Sequence, residues 1–368
     1  MTDFVFKKKV ETQLGMPVFV LVGAEPIKGD IGIEIEVEGN KFQKKDIPTP
    51  WKYTKDGSLR GQDNAEYVLK GPISFEKVND AIDILWDMFK KYGSKLDESN
   101  RTSVHVHLNV QKFHLNRLCS FFALYFIIEE LLTAWCGDHR VGNLFCLRSK
   151  DAPAIVSEIK NMLVNEKVYF TEGMHYANVN AQALNKFGSV EIRSLRGCTD
   201  PQNIIDWVSV LERIYKLSAE FPDPRAIPEG FSGGGPLSFL ENILGDKFHL
   251  IIDNIGYTNN EISDALYSGI RLAQDLCYCR DWSEYTPRNI KDDPFGRSKK
   301  TISQKLTNSP GSIVAATALS SQLDVEVTQN PFQVYGPVTT TFEIEPEEDE
   351  NDEDYDYVDI DEIYEDED

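Results

Sequence analysis

Residues 31–39 alternate strictly, Ile-Gly-Ile-Glu-Ile-Glu-Val-Glu-Gly, so one side of the segment is apolar and the other acidic. A period of two marks a half-buried strand. The same period returns at residues 103–110 (Ser-Val-His-Val-His-Leu-Asn-Val) and 189–195 (Ser-Val-Glu-Ile-Arg-Ser-Leu). Shorter versions stand at 66–69 (Glu-Tyr-Val-Leu) and 176–180 (Tyr-Ala-Asn-Val-Asn), and a β-rich run at 17–22 precedes them all. Helical spacing takes over elsewhere. Val78, Ile82, Leu85 and Phe89 recur behind Ser74, a capping residue. Very apolar residues 116–135 predict a helix, as do 152–164 and about 260–276. Asp200-Pro201 places a cap before a proline at the first helical position, opening a helix to about 219. The stretch after residue 39 reads as a loop with a turn at Asp56-Gly57-Ser58, and 222–235 reads as a Pro/Gly-rich connection.

Strands that are polar on one face, with helices to cover the other, predict an α+β fold. We expect one domain over residues 1–280, built on an antiparallel sheet with a concave polar face. Residues 281–342 read as a polar, partly disordered linker, and 343–368 as a disordered acidic tail.

The formal net charge of −22 changes meaning once it is located. Seventeen acidic residues and no Lys or Arg lie in 343–368, which leaves the rest of the chain near balance at −5. No basic block suggests nucleic acid as a partner. The six cysteines form no C-x-x-C pair, which argues for buried thiols in a reducing compartment rather than a zinc ribbon or a redox site. The N-terminus lacks an apolar signal core, and the longest apolar run, 118–128, is short for a bilayer. The expectation is a cytoplasmic protein with no membrane partner.

Side chains on a strand point alternately to its two faces. Glu34, Glu36 and Glu38 therefore oppose Ile33, Ile35 and Val37, and His105, His107 and Asn109 oppose Val104, Val106 and Leu108. Glu191 and Arg193 likewise oppose Val190 and Ile192. The plain alternative is a solvated sheet face dressed with charges. Carboxylates about 7 Å apart on one strand repel by only ~0.6 kcal/mol in water, but by ~2.4 kcal/mol at an effective dielectric near 20. A recessed face would therefore need cations. Glutamates with a histidine suit Mg²⁺ or Mn²⁺, and arginines beside them suit phosphate. No Gly-Lys dipeptide occurs, so there is no Walker A loop, and the glycines at 233–235 read as a linker. Any nucleotide site must be carried by strands and metals.

Gly32-Ile-Glu-Ile-Glu36, Asp56-Gly-Ser-Leu59 with Glu66-Tyr-Val, Ser103-Val-His-Val-His107, Tyr176-Ala-Asn-Val-Asn180 and Ser189-Val-Glu-Ile-Arg193 follow one another in a telling order. This order resembles the amidoligase family, carboxylate–amine ligases with a glutamine-synthetase-like fold that are common in phages and bacteria. The resemblance covers roughly residues 30–220 and includes the helix after Asp200. It implies metal ligands at Glu34, Glu36, Glu66, His105 and Glu191, and nucleotide contacts from His105 and His107. It also implies Arg193 at the transferring phosphate, Arg140 as a further anion-binding residue, and a catalytic core of Arg193, Glu36 and Glu191. Arg196 is near enough to help or to lie on the surface. Ser103 departs from the glycine of many relatives, and Glu38, without a counterpart, reads as a rim residue.

The activity so implied is ATP- and Mg²⁺-dependent amide formation between a small-molecule or peptide carboxylate and an amine, through an acyl phosphate. If the chain is phage-encoded, it would act in the host cytoplasm. An inert interaction or virion-associated protein of the same fold is the main rival, and a guanidino phosphotransferase is another. A His-x-His oxygenase would need a Glu shortly after the second histidine, where Gln111 and Lys112 stand. The acidic tail reads first as a solubiliser. On a 60-residue linker it could also be an acceptor or an autoinhibitor, at roughly millimolar effective concentration.

Overall fold

The computed structural model describes residues 4–9, 18–21, 28–60, 63–165, 167–168, 176–231 and 235–279. All of these belong to the unit Met1–Gln322. The expected linker and acidic tail lie outside the described residues. Ten strands are described: β1 (Phe4–Lys9), β2 (Val18–Leu21), β3 (Ile31–Asn40), β4 (Trp51–Thr54), β5 (Asp63–Leu69), β6 (Lys95–Leu96), β7 (Ser103–Asn109), β8 (Lys167–Val168), β9 (Val179–Asn180) and β10 (Ser189–Arg196). The helices are α1 (Val78–Tyr92), α2 (Leu115–Trp135), α3 (Pro153–Asn165), α4 (Ala183–Phe187), α5 (Pro201–Leu217), α6 (Ala226–Gly230), α7 (Pro236–Leu244), α8 (Phe248–Ile252) and α9 (Asn259–Cys277).

The fold is α+β. Its main sheet has seven antiparallel strands in the order β4-β5-β3-β7-β10-β9, with β6 pairing β3. A separate small sheet runs β2-β1-β8. The alternation works as expected. Ile33, Ile35, Val104, Val106, Val190 and Ile192 are fully buried in one core with Phe121, Phe122 and Tyr125 of α2 and Trp207 and Leu211 of α5. Each such aliphatic side chain contributes about 1.5–3 kcal/mol by burial.

The ends of the helices follow their sequence signals. Asp200 caps α5 by accepting from Gln202 N at 2.9 Å. Ser74 precedes a short 3-10 turn, Phe75–Lys77, which leads into α1. Thr258 and Glu261 form a reciprocal capping box at the start of α9. At Gly269 of α9 an added Cβ would lie 2.5 Å from the Ile127 main chain, so this glycine lets α9 pack closely on α2.

Three expectations change. By length and composition α2 could cross a membrane, which the shorter apolar run did not suggest, but 83% of its apolar window is buried inside the protein. It is the central core helix. Second, the expected loop after β3 contains β4, and the expected connection 222–235 contains α6. Third, the expected strand at 176–180 pairs with β10 only over Val179–Asn180, while Ala177 bridges to Leu147. None of the six cysteines forms a disulfide among the described residues, and five of them are buried.

Candidate metal and phosphate site

Strand register decides which polar side chains meet. Glu34 stands opposite His105, Glu36 opposite Glu66, and Glu191 opposite both His107 and Asn180. Gly32 faces His107 across the ladder. Two groups of donors result. Ligand atoms of Glu34, His105 and Glu191 lie within 4.8 Å of one another, and so do those of Glu36, Asp56 and Glu66.

The two groups touch. His105 Nδ1 lies 3.3 Å from Glu34 Oε2 and 3.5 Å from Glu191 Oε1, while Nε2 of the same ring lies 3.8 Å from Glu36 Oε1. Ser103 completes the connection. Its main-chain N–H and its hydroxyl both donate to Glu36 Oε2, at 2.8 and 2.7 Å. A carboxylate only accepts, so the single hydroxyl proton points at Glu36, and Ser103 Oγ accepts from His105 Nε2–H at 2.7 Å. With a single proton on the ring, that hydrogen bond places it on Nε2 and leaves Nδ1 to a cation shared with Glu34 and Glu191, as a metal-binding imidazole requires.

Arg193 joins the face through a bulge. Ile192 pairs with Val106 and Leu195 with Val104, so two residues, Arg193 and Ser194, stand where the ladder has room for one. The extra residue keeps Leu195 on the core side while Arg193 reaches Glu191, Nη1 to Oε1 at 2.6 Å. Asn180 Nδ2 donates to the other Glu191 oxygen at 2.8 Å.

Here Arg140 departs from the expectation. It is 1% exposed, and its guanidinium donates to the main chain of the bulge, Nε to Ser194 O at 2.8 Å and Nη2 to Arg193 O at 2.5 Å. A freed carbonyl pair attracts a buried fork more strongly than a distant anion can. Arg140 thus positions Arg193. Asn178 does so from the other side. Its carbonyl accepts from Arg193 N at 2.8 Å, and its side chain bonds Ser194 and Glu129.

Glu38 also differs from expectation. It is buried, accepting from Arg60 N at 2.6 Å and Ser99 Oγ at 2.7 Å. The third acid of the first strand therefore ties down the loop that carries Asp56, rather than lining a rim. Asp56 stood in the sequence as a turn residue and as part of a family motif, with no ligand role. His107 belongs to neither donor group. Its Nε2 stands 3.4 Å from Glu34 Oε1, its Nδ1 is 3.1 Å from Ser189 Oγ, and Phe187 meets its ring edge to face.

The electrostatics show a face short of positive charge. Five carboxylates (Glu34, Glu36, Asp56, Glu66 and Glu191) converge with one permanent cation, Arg193. Burial, and then the charges of Glu34, Glu36 and Asp56, push the Glu66 carboxyl up to about 7. Burial likewise raises Glu36, outweighing His105. Burial would raise Glu34 and Glu191 too. The hydrogen bonds and charge of both histidines hold Glu34 well below the usual range, and His107, Arg193 and His105 hold Glu191 down. With all five carboxylates ionised and both histidines neutral, two divalent cations would balance the four excess charges. The donors fit them: hard carboxylate oxygens with a single imidazole suit Mg²⁺ or Mn²⁺. No protein-family model matches the chain and no curated protein is similar to it.

Proposed function

We propose that this chain is an ATP- and Mg²⁺-dependent carboxylate–amine ligase of the glutamine-synthetase-like, amidoligase kind. One observation carries the reading: two touching donor groups meet at a partly buried sheet face with an arginine held on one of their carboxylates. Two cation sites with an adjacent guanidinium suit phosphoryl transfer, and the resemblance of the five ordered motifs to amidoligases supports a carboxylate as the acceptor.

In this reading Glu34, His105 and Glu191 hold one divalent cation, and Glu36, Asp56 and Glu66 hold the other. Bound there, the cations would offset the charge of the ATP phosphates. The protein supplies the rest. Ser103 and Asn180 fix the directions of Glu36, His105 and Glu191 before substrate arrives. Arg193, 17% exposed at its side chain, keeps part of its fork open to the phosphoryl group. Exposures of 4–6% at Glu36, His105 and Glu191 keep water from competing. A substrate carboxylate oxygen attacks the γ-phosphorus as its bond to ADP breaks. The amine then attacks the acyl carbon, the carbon–oxygen bond to phosphate breaks, and the amine releases a proton. No side-chain nucleophile is needed.

Thermal unfolding tests this cheaply. Mg²⁺ with a non-hydrolysable ATP analogue should raise the midpoint more than either does alone, by about 2.7 kcal/mol of stability at a hundredfold excess over Kd. An inert scaffold of the same fold should gain from neither.

A further inference from the structure

Four of the ten large apolar side chains exposed among the described residues belong to one turn or to the segment before β9 that touches it. Val141, Leu144, Phe145 and Tyr176 gather beside the turn that follows Arg140, with Leu144 71% and Phe145 51% exposed. The turn is firmly built. Asn143 Oδ1 accepts from Phe145 N at 2.9 Å, Cys146 N donates to Asn143 O at 3.1 Å, and Leu147 N donates to Tyr176 O at 2.9 Å. Its apolar tips are thus held outward by an ordered main chain. The turn is also wired to the polar face, because Phe145 O accepts from Arg193 Nε at 3.3 Å while Arg193 Nη1 holds Glu191. One guanidinium therefore joins the main chain of this turn to the donor groups. Exposed apolar side chains held on an ordered turn beside a polar site offer a surface for an apolar group of a ligand.

We propose that these side chains form a rim, the subsite for an apolar side chain on the carboxylate substrate. The carboxylate lies next to the phosphoryl position at Arg193, and an aliphatic or aromatic group lies against Val141, Leu144 and Phe145. This rests on the ligase reading and adds the class of acid. A purine base suits the rim less well. The Phe145 and Tyr176 rings meet edge to face, 5.7 Å apart at 73°, and offer no pair of parallel faces for a flat base. A protein partner would need a far larger patch than four side chains, about 800 Å² on each partner.

The test is equilibrium binding to the full chain by calorimetry, with Mg²⁺ and without nucleotide, of N-acetyl-leucine, N-acetyl-phenylalanine and N-acetylglycine. The apolar acids should bind about tenfold tighter than the glycine derivative. In the double variant Leu144→Ser, Phe145→Ser the preference should fall below twofold. Both side chains are exposed, the Phe145 carbonyl that holds Arg193 is kept, and far-UV circular dichroism checks the fold. Equal affinities in the wild type, no binding of any of the three, or a preference that survives the double substitution would each overturn the proposal. In a separate titration with AMP, a double variant that weakens AMP binding while acid binding stays unchanged would also overturn it, assigning the rim to the base. Because no nucleotide is present, failure of ATP turnover would remove the ligase reading without touching this result.

Discussion

Ser103→Ala isolates the connection between the two donor groups. The variant keeps the main-chain N–H on Glu36 Oε2 at 2.8 Å but removes the hydroxyl that donates to Glu36 and accepts from His105. Glu36 loses one of two donors. His105, whose side chain is 5% exposed, loses the partner of its Nε2–H, and its next neighbour there is Glu36 Oε1 at 3.8 Å. A buried N–H without a partner costs about 1–3 kcal/mol, so the proton shifts to Nδ1, where Glu34 and Glu191 accept it. That occupies the atom which should bind the cation. Removing such a supporting partner typically weakens metal binding by about 10–100-fold, which is about 1.4–2.7 kcal/mol. Titration of the apoprotein with Mn²⁺, followed by calorimetry, should show this loss at the Glu34–His105–Glu191 group and a smaller one at the Glu36–Asp56–Glu66 group. Nitrogen-15 spectra of His105 should show the tautomer change. Mn²⁺ constants within twofold of wild type, with the tautomer unchanged, would refute the reasoning.

Three further outcomes follow from the same geometry. Burial holds the Glu129 carboxyl up at about 7, so the unfolded chain ionises it first as pH rises from 4.5 and the fold loses stability up to pH 7, by about 3 kcal/mol. Glu129→Gln removes that slope, so in urea unfolding without metal the variant should gain on wild type by this amount from pH 4.5 to 7.5; a gap independent of pH would be inconsistent. Arg193→Lys should cut ATP turnover at least a hundredfold, because a point charge cannot hold Glu191 and a phosphoryl oxygen with one planar fork; turnover within threefold of wild type would exclude Arg193 from the reaction. Truncation after Phe342 should leave turnover and product mass unchanged if the acidic tail only solubilises, whereas a lost mass shift on the protein itself would make the tail an acceptor.

The faces of the central strands were legible because alternation is a local property. Glu34, His105 and Glu191 fall on one face by period alone, and the apolar residues between them form the core. What alternation cannot show is register. Glu66 meets Glu36 only because β5 pairs with β3 at that offset, and Asp56 enters from a turn that has no period. The bulge at Arg193 and Ser194 is equally invisible, since Ile192 and Leu195 look like opposite-face residues until the ladder shifts. Arg140 was legible as a cation near the site, but its role depends on carbonyls freed by that bulge. The helices between residues 222 and 252 were missed because they are only five to nine residues long and are interrupted by Pro and Gly.

The acyl phosphate is the central claim, and oxygen transfer tests it most directly. The protein with Mg²⁺ and ATP is given a pool of amino acids and short peptides whose carboxylates carry ¹⁸O, together with simple amines, and the released phosphate is weighed by mass spectrometry. If a carboxylate attacks the γ-phosphorus, one labelled oxygen leaves with each phosphate and a conjugate two reactants in size accumulates. Glu36→Gln and Glu191→Gln should abolish both signals while keeping the fold, since each removes charge from a face already crowded with carboxylates. Phosphate that carries only unlabelled oxygen, or label transfer that persists in both variants, would contradict the account.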